Sequence, residues 1–312
     1  MSSCLVTGGA GFIGSHLVDG LLENGYAVRV IDNLSTGNLA NLAHVRDRIE
    51  MIEGDITNSQ TVNSAMHGVE LVFHQAALAS VPRSVADPVS TNRVCVDGTL
   101  NVLLAARDAK VKRVVYAASS SAYGASASLP KRETDLTLPL SPYAVAKLAA
   151  EHYCAAFTEV YGLETVRLRY FNIFGPRQPP DSPYAAVIPL FFEAMLAGQS
   201  PVIYGDGQQS RDFTYVADAV QANLRAATAP KASGKVYNVA CGSRTSLLEL
   251  VAKINALLGT KLHAIHEKPR PGDVKHSQAD ITPAKTELGY VPQFDIDQGL
   301  QKCFEYFRTR KK

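Results

Sequence analysis

Charge of one sign is the first thing this sequence lacks. Its 31 lysines and arginines nearly balance 29 acids, leaving a formal charge of +2. That excludes the basic field a nucleic-acid surface needs, and the one basic cluster, Arg308-Thr309-Arg310-Lys311-Lys312, reads as a solvated tail. Clustered cysteine is missing too. Cys4, Cys95, Cys154, Cys241 and Cys303 form no CxxC and no Cys/His pair at zinc-ligand spacing, so no metal site is expected. Their odd number, and the apolar segments around Cys4 and Cys154, point to buried free thiols in a reducing cytoplasm. No apolar run approaches the roughly 18 residues of a spanning helix. The opening Met-Ser-Ser-Cys-Leu-Val-Thr lacks the basic and apolar regions of a signal peptide, so a cytoplasmic protein without membrane attachment is expected. Repeats and low-complexity stretches are also absent. With 46% hydrophobic and 19% charged residues, the 312-residue chain is a packed globule: one large α/β domain, or one domain with a smaller partner.

What is present is alternation. Short β-rich runs at 4–6, 27–31, 49–52, 69–73, 113–117 and 164–170 are interleaved with helical patterns at 12–24, 89–109 and 142–161. This spacing implies βαβ units with right-handed crossovers and a parallel sheet covered on both faces. The expected fold class is α/β, a Rossmann-type doubly wound parallel sheet over residues 1–174. A smaller C-terminal α+β lobe over 175–312 follows, with some exchange of chain between the two. It opens on the proline-rich loop Gly175-Pro176-Arg177-Gln178-Pro179-Pro180-Asp181-Ser182-Pro183. It then mixes helices at 187–197, 216–227, 246–258 and 296–307 with isolated strands at 202–204 and 236–239. A ligand cleft is expected between the lobes.

Directly after the first strand comes Gly8-Gly9-Ala10-Gly11-Phe12-Ile13-Gly14, which opens a helix. Strand, Gly8-x-x-Gly11-x-x-Gly14 and helix together aim backbone N–H groups and a helix N-terminus at a pyrophosphate. Asp32 ends the second strand, where its carboxylate can accept from a ribose 2′-hydroxyl and would repel a 2′-phosphate. The expected cofactor is therefore NAD rather than NADP; Arg29, inside the strand, is not placed to reverse this. Asp55-Ile56, ending the third strand, suits an adenine clamp or an ordinary helix cap. Gln75-Ala76-Ala77, ending the fourth, offers small side chains against which a cofactor can lie, or simple helix–sheet packing.

Tyr143-x-x-x-Lys147 sets a phenol and an ammonium one helical turn apart. A neighbouring ammonium lowers a phenol's pKa and makes it a usable acid and base. The pair follows the strand that ends in Ser119-Ser120-Ser121, whose hydroxyls emerge at the carboxyl edge of the sheet. A hydroxyl, a tunable phenol, an ammonium and a nicotinamide together specify hydride transfer at a carbinol.

These motifs carry a family resemblance. Thr7-Gly-Gly-Ala-Gly-Phe-Ile-Gly-Ser-His16, Asp32-Asn-Leu-Ser-Thr-Gly37, Ser119-Ser-Ser-Ala-Tyr-Gly124, Tyr143-Ala-Val-Ala-Lys147 and Arg169-Tyr-Phe-Asn-Ile-Phe-Gly-Pro176 resemble the extended short-chain dehydrogenases/reductases, and within them the UDP-hexose 4-epimerases. The likeness runs along essentially the whole chain. It implies that Phe12 and Ile13 contact the pyrophosphate through their backbone. Asn33 and the Ser35-Thr36-Gly37 loop would close on the adenosine ribose, and Asn92 and Tyr170 would line the nicotinamide. Ser119 matches the catalytic serine or threonine, with Ser120 a second candidate. For a nucleotide sugar, the likeness implies Asn172, Arg211 and Arg270 at the diphosphate, Asp273 at the uridine ribose, Ala186 and Val187 at the uracil, and Tyr204 also in contact. Arginine suits the diphosphate because its planar fork meets phosphate oxygens in pairs. The family pairs two such helices, here near 89–109 and 142–161, across a two-fold axis, so a homodimer is expected; the same helices could simply cover the sheet.

The mechanism so implied has Tyr143 remove the sugar 4-hydroxyl proton while hydride passes to NAD. Ser119 holds the 4-oxygen, and Lys147 bonds the nicotinamide ribose. The 4-keto sugar turns over, and hydride returns to its other face with NAD tightly bound and not consumed. Seven residues beyond Arg270 stands Ser277, where the family's substrate gate lies; a small residue there leaves room for an N-acetyl group. Ser80 and Arg83, in Ala77-Leu-Ala-Ser80-Val-Pro-Arg83-Ser84, likewise resemble epimerases of N-acetylated sugars. UDP-GlcNAc and UDP-GalNAc are thus the expected pair, with UDP-Glc and UDP-Gal as further substrates. A UDP-glucuronate 4-epimerase is the alternative, with Arg83 or Arg177 as the cation for the carboxylate. A dehydratase is disfavoured because Ser120 and Ser121 stand where it needs an acid. A plain NAD-dependent dehydrogenase would release NADH, and a noncatalytic NAD sensor would lack the Tyr143/Lys147 pair.

Overall fold

The computed structural model describes residues 2–124, 126–180, 186–269 and 275–310. Seven strands form one parallel sheet: β1 (Ser3–Thr7), β2 (Ala27–Asp32), β3 (Ile49–Glu53), β4 (Leu71–His74), β5 (Arg113–Ser119), β6 (Glu164–Tyr170) and β7 (Val236–Val239). Their order is β7-β6-β5-β4-β1-β2-β3. All four residues of β4 and the first six of β5 are buried. Apart from His74 and Arg113 these are apolar, as strands covered on both faces require. One apolar cluster, with Val6, Leu17 and Leu168, lies on one face, and a second, with Leu5, Val72 and Val114, on the other. The strand order reverses between β1 and β4, which opens a crevice at the strands' carboxyl ends.

The seventh strand corrects the sequence reading, which left 236–239 isolated in the second lobe. Val236–Val239 pairs in parallel with β6, Val236 opposite Arg167 and Val239 opposite Tyr170, and Tyr237 is buried. The four-residue strand, apolar except for buried Asn238, covers what would otherwise be an open edge of β6. The helix preceding it also belongs to the sheet layer. Helix α1 (Phe12–Glu23) packs against Val216–Thr228, and Gly20 permits the contact, since a Cβ there would lie 2.6 Å from a Val220 methyl.

The helix expected over 89–109 is interrupted. Pro88–Asn92 is followed by a wide i→i+5 turn at Arg93–Asp97, and only then by helix α2 (Gly98–Asp108). The Thr99 hydroxyl takes the Cys95 carbonyl at 2.7 Å. Helix α3 (Pro142–Tyr161) matches its expected bounds: the Ser141 side chain accepts from the Ala144 N–H, Pro142 stands in the first turn, and left-handed Gly162 ends it. A third apolar cluster joins Phe174 and Phe213 to helices α4 (Val187–Leu196), α5 (Leu247–Leu258) and α6 (Ile296–Arg310). Strand 202–204, also read as isolated, pairs with Ile265–Glu267. Among the described residues no helix is long and apolar enough to cross a membrane.

Candidate active site

The glycine turn is set by contacts no side chain can accept. Gly8 has φ +70, and a Cβ on it would lie 2.8 Å from the Ala76 backbone; one on Gly14 would lie 2.1 Å from the Gly8 carbonyl oxygen. Gly11 is the N-cap of α1 and has no side chain to offer the first-turn N–H groups, which fits them to an anionic pyrophosphate. Asp32 is buried at the end of β2. One of its oxygens accepts the Ala10 N–H and the other the Leu34 N–H, both at 2.9 Å. A Cβ on Gly37 would sit 2.7 Å from that carboxylate, so the loop carrying Asn33, Ser35 and Thr36 closes tightly on it. Arg29 points elsewhere, to Glu50 at 2.7 Å and to the Ala65 and His67 carbonyls. Asp55 accepts from Thr57 N–H and from the Asn33 side chain. Burial raises its pKa, but these bonds outweigh it and hold it below the ordinary value.

A single cleft of ≈ 1610 Å³ runs from this turn to the chemical residues. Every cofactor position inferred from the sequence lines it except Asn92. Ile56, Gln75, Ala76, Ala77 and Tyr170 thus face the same space as Gly8 and Asp32. Asn92 is exposed and borders a separate groove with Val89, Arg93 and Val145. The wide turn that follows it shifts the helical phase, and buried Cys95 instead packs with Ala77 and Ala146 beside Tyr143 and Lys147.

Ser119 ends β5, with its Oγ 2.8 Å from Ser121 Oγ. Tyr143 and Lys147 stand in the first turns of α3. Lys147 is buried, its Nζ 4.3 Å from the centre of the Tyr116 ring. Burial raises the Tyr143 phenol above its ordinary pKa, a neighbouring Cys95 adds to this, and the Ser119 hydroxyl pulls it down. Burial also lowers Lys147. Beneath Tyr116 lies buried His74. The Thr99 hydroxyl donates to the Cys95 carbonyl, so it accepts the His74 Nε2–H at 2.9 Å; Nδ1 then accepts from Thr7 Oγ1 at 2.7 Å. The ring is neutral, with burial first and Lys147 second pulling its pKa to about 3.

The second half of the chain completes the cleft. Asn172, with left-handed φ 38, donates to the Asp212 carbonyl at 3.0 Å and to Ser277 Oγ at 3.3 Å. Ser277 N–H bonds the Ser210 carbonyl, and Arg211 donates to the Ser210 and Lys275 carbonyls. Ser80, Arg83, Ser120, Asn172, Ala186, Arg211 and Ser277 all line the cleft. Val187 does not: it begins α4 and packs into the third apolar cluster. Nor does Tyr204, which ends an outer strand whose carbonyl takes the Gln209 amide. Arg270 and Asp273 lie outside the described residues.

Two features at the cleft, one behind its wall and one lining it, are barely marked in the sequence. Buried Asn223 donates to the Tyr170 hydroxyl at 2.6 Å and accepts from Gln75, fixing both at the cofactor wall. Its one sequence signal is a polar residue on the buried face of helix 216–228. Lys131, in the loop before α3, is buried yet lines the cleft; no periodicity marks it.

Comparison with known proteins agrees with this geometry. Residues 4–240 match the model of the NAD dependent epimerase/dehydratase family. The UDP-glucose 4-epimerase of Mycolicibacterium smegmatis is 39% identical, over 99% of both chains. Among solved structures, the UDP-N-acetylglucosamine 4-epimerase of Methanobrevibacter ruminantium, in complex with UDP-N-acetylmuramic acid, is 41% identical with a TM-score of 0.95, covering 99% of each chain. The UDP-glucose 4-epimerase of Thermotoga maritima, with UDP-glucose, is 38% identical with a TM-score of 0.95, covering 99% of this chain and 100% of that one. The chain belongs to the NAD-dependent epimerase/dehydratase family, and its cofactor is NAD.

Proposed function

We propose that this enzyme inverts C4 of a UDP-hexose, and that UDP-GlcNAc and UDP-GalNAc are its pair, with UDP-Glc and UDP-Gal also accepted. The observation that carries the reading is convergence: Ser119, Tyr143 and Lys147 share one cleft with Asn172, Arg211 and Ser277. Bound NAD supplies a hydride acceptor that later returns the hydride. Tyr143 takes the 4-hydroxyl proton and gives it back, and Ser119, beside the phenol, holds the 4-oxygen. Lys147, one helical turn from Tyr143 and buried against Tyr116, bonds the nicotinamide ribose and lowers the phenol's pKa. Arg211 grips the diphosphate while the sugar turns. Arg270 and Asp273 are assigned to diphosphate and ribose on resemblance.

Ser277 is the specificity position. Its hydroxyl meets Asn172, and its small volume admits a 2-acetamido group. Dehydration is disfavoured, because Ser121 bonds Ser119 where an acid would be required. One observation favours a uronate substrate as the second reading: Arg83 and Arg177 both line the cleft, and since Arg177 is paired with Asp19 at 2.7 Å, Arg83 is the cation proposed for the carboxylate. NMR of products from UDP-GlcNAc, UDP-Glc and UDP-glucuronate, with no added NAD, tests all three. Epimerised UDP-GlcNAc, lost on Ser277→Tyr, is the expected result; turnover of UDP-glucuronate alone would replace the proposal with the second reading.

We also propose a homodimer. Helices α2 and α3 leave Leu104, Val145, Tyr153, Val160 and Tyr161 exposed. A second copy of the same two helices would cover them as a four-helix bundle. Light scattering is expected to give twice the chain mass.

A further inference from the structure

Lys131 is 3% exposed, and its Nζ donates to the Ser126 carbonyl. Among the described residues no carboxylate oxygen lies within 4.0 Å of it. Asp135, the acid whose charge acts on it, is engaged by the Ser128 hydroxyl and the Arg132 N–H. An ammonium has three N–H donors, of which the Ser126 carbonyl takes one. The loop that carries it is not loose. Lys131 N–H donates to the Gln278 carbonyl at 2.7 Å, and its own carbonyl accepts from Asp280 N–H and the Asn238 side chain. These bonds stitch Lys131 to the chain next to Ser277, and both side chains line the cleft.

A small residue at 277 admits an N-acetyl group but does not prefer one; preference requires an interaction that the plain hexose cannot make. We propose that Lys131 donates a charge-assisted hydrogen bond to the carbonyl oxygen of the sugar's 2-acetamido group, so that Ser277 admits the substituent and Lys131 recognises it. This rests on the substrate reading above. The same donor would serve other acyl oxygens at that carbon, whereas a 2-hydroxyl has none.

The test is the ratio of kcat/KM for UDP-GlcNAc to that for UDP-Glc, in NAD-loaded enzyme. Lys131→Met keeps the aliphatic stem and all backbone bonds. The ratio is expected to fall about tenfold to a hundredfold, the range for one bond to a charged group. Lys131→Gln, which keeps a donor without charge, is expected to fall in between, and serves if Lys131→Met does not fold. Bound NAD and thermal unfolding report on the fold. An unchanged ratio, or equal losses on both substrates, overturns the role of Lys131 while leaving the substrate reading intact. A wild-type enzyme that turns over UDP-Glc but not UDP-GlcNAc overturns both.

Discussion

Three glycines of one motif meet very different neighbours, so Gly8→Ala, Gly11→Ala and Gly14→Ala should separate in a set order. At Gly14 the new Cβ would lie 2.1 Å from the Gly8 carbonyl oxygen and 2.8 Å from the Gly9 Cα. Both are backbone, so the turn itself must move. Overpacking costs ~1–3 kcal/mol where side chains can yield, and more where they cannot; Gly14→Ala should cost at least ~3 kcal/mol. At Gly8 alanine meets the Ala76 backbone at 2.8 Å and must also hold φ +70, where left-handed backbone alone costs ~1–2 kcal/mol. At Gly11 the nearest atom is the Gly8 carbonyl oxygen at 3.2 Å, with φ −75. A cost of about 1 kcal/mol there is offset by ~0.4–1 kcal/mol from a stiffer unfolded chain. Denaturant unfolding of the three variants, with NAD content after release from the protein, measures this. The expected order of destabilisation is Gly14, Gly8, Gly11, with NAD lost in the first two. A Gly14→Ala protein as stable as Gly11→Ala would refute the reasoning, because it would show that the turn is not fixed by these contacts.

Tyr143→Phe is expected to abolish turnover and retain NAD; an active variant would remove Tyr143 from the proton's path. Buried neutral His74, with its folded pKa near 3 against an ordinary 6.5, contributes stability that is fully present above pH 6.5 and lost as pH falls toward 3. The slope is up to ~1.4 kcal/mol per pH unit, and chemical denaturation of His74→Gln should show a shallower one in that window. Arg169 and Glu151 form a buried pair at 2.6 and 2.9 Å. Arg169→Met alone should cost ~3–5 kcal/mol, and adding Glu151→Leu should recover much of it; no recovery in calorimetry would mean the pair holds more than its own charges.

Strands β1, β4 and β5 are legible as short buried apolar-rich runs, and β2, β3 and β6 as β-branched runs at βαβ spacing, neither of which needs knowledge of partners. Strand β7 was seen, but its place was not: Val236–Val239 is four residues long and pairs with a strand some 70 residues earlier. The glycine turn, Asp32 and the Ser119, Tyr143 and Lys147 set were legible because each is tied to the end of a strand or the start of a helix. Asn92, placed by the family resemblance, borders a separate groove ahead of the wide turn at Arg93–Asp97. Asn223 acts on the cleft from behind through Tyr170, and Lys131 is brought to it by the 278–280 segment, both tertiary contacts. Val187, carried over by the family resemblance, begins a helix and packs into the third apolar cluster.

The central claim is that hydride taken from the sugar goes back to the same sugar. UDP-GlcNAc carrying deuterium at C4, turned over in ordinary water with no added NAD, tests it directly. The account predicts that both epimers keep the deuterium at C4 and that no NADH accumulates in solution. Loss of the label to solvent, or release of labelled NADH, would contradict it.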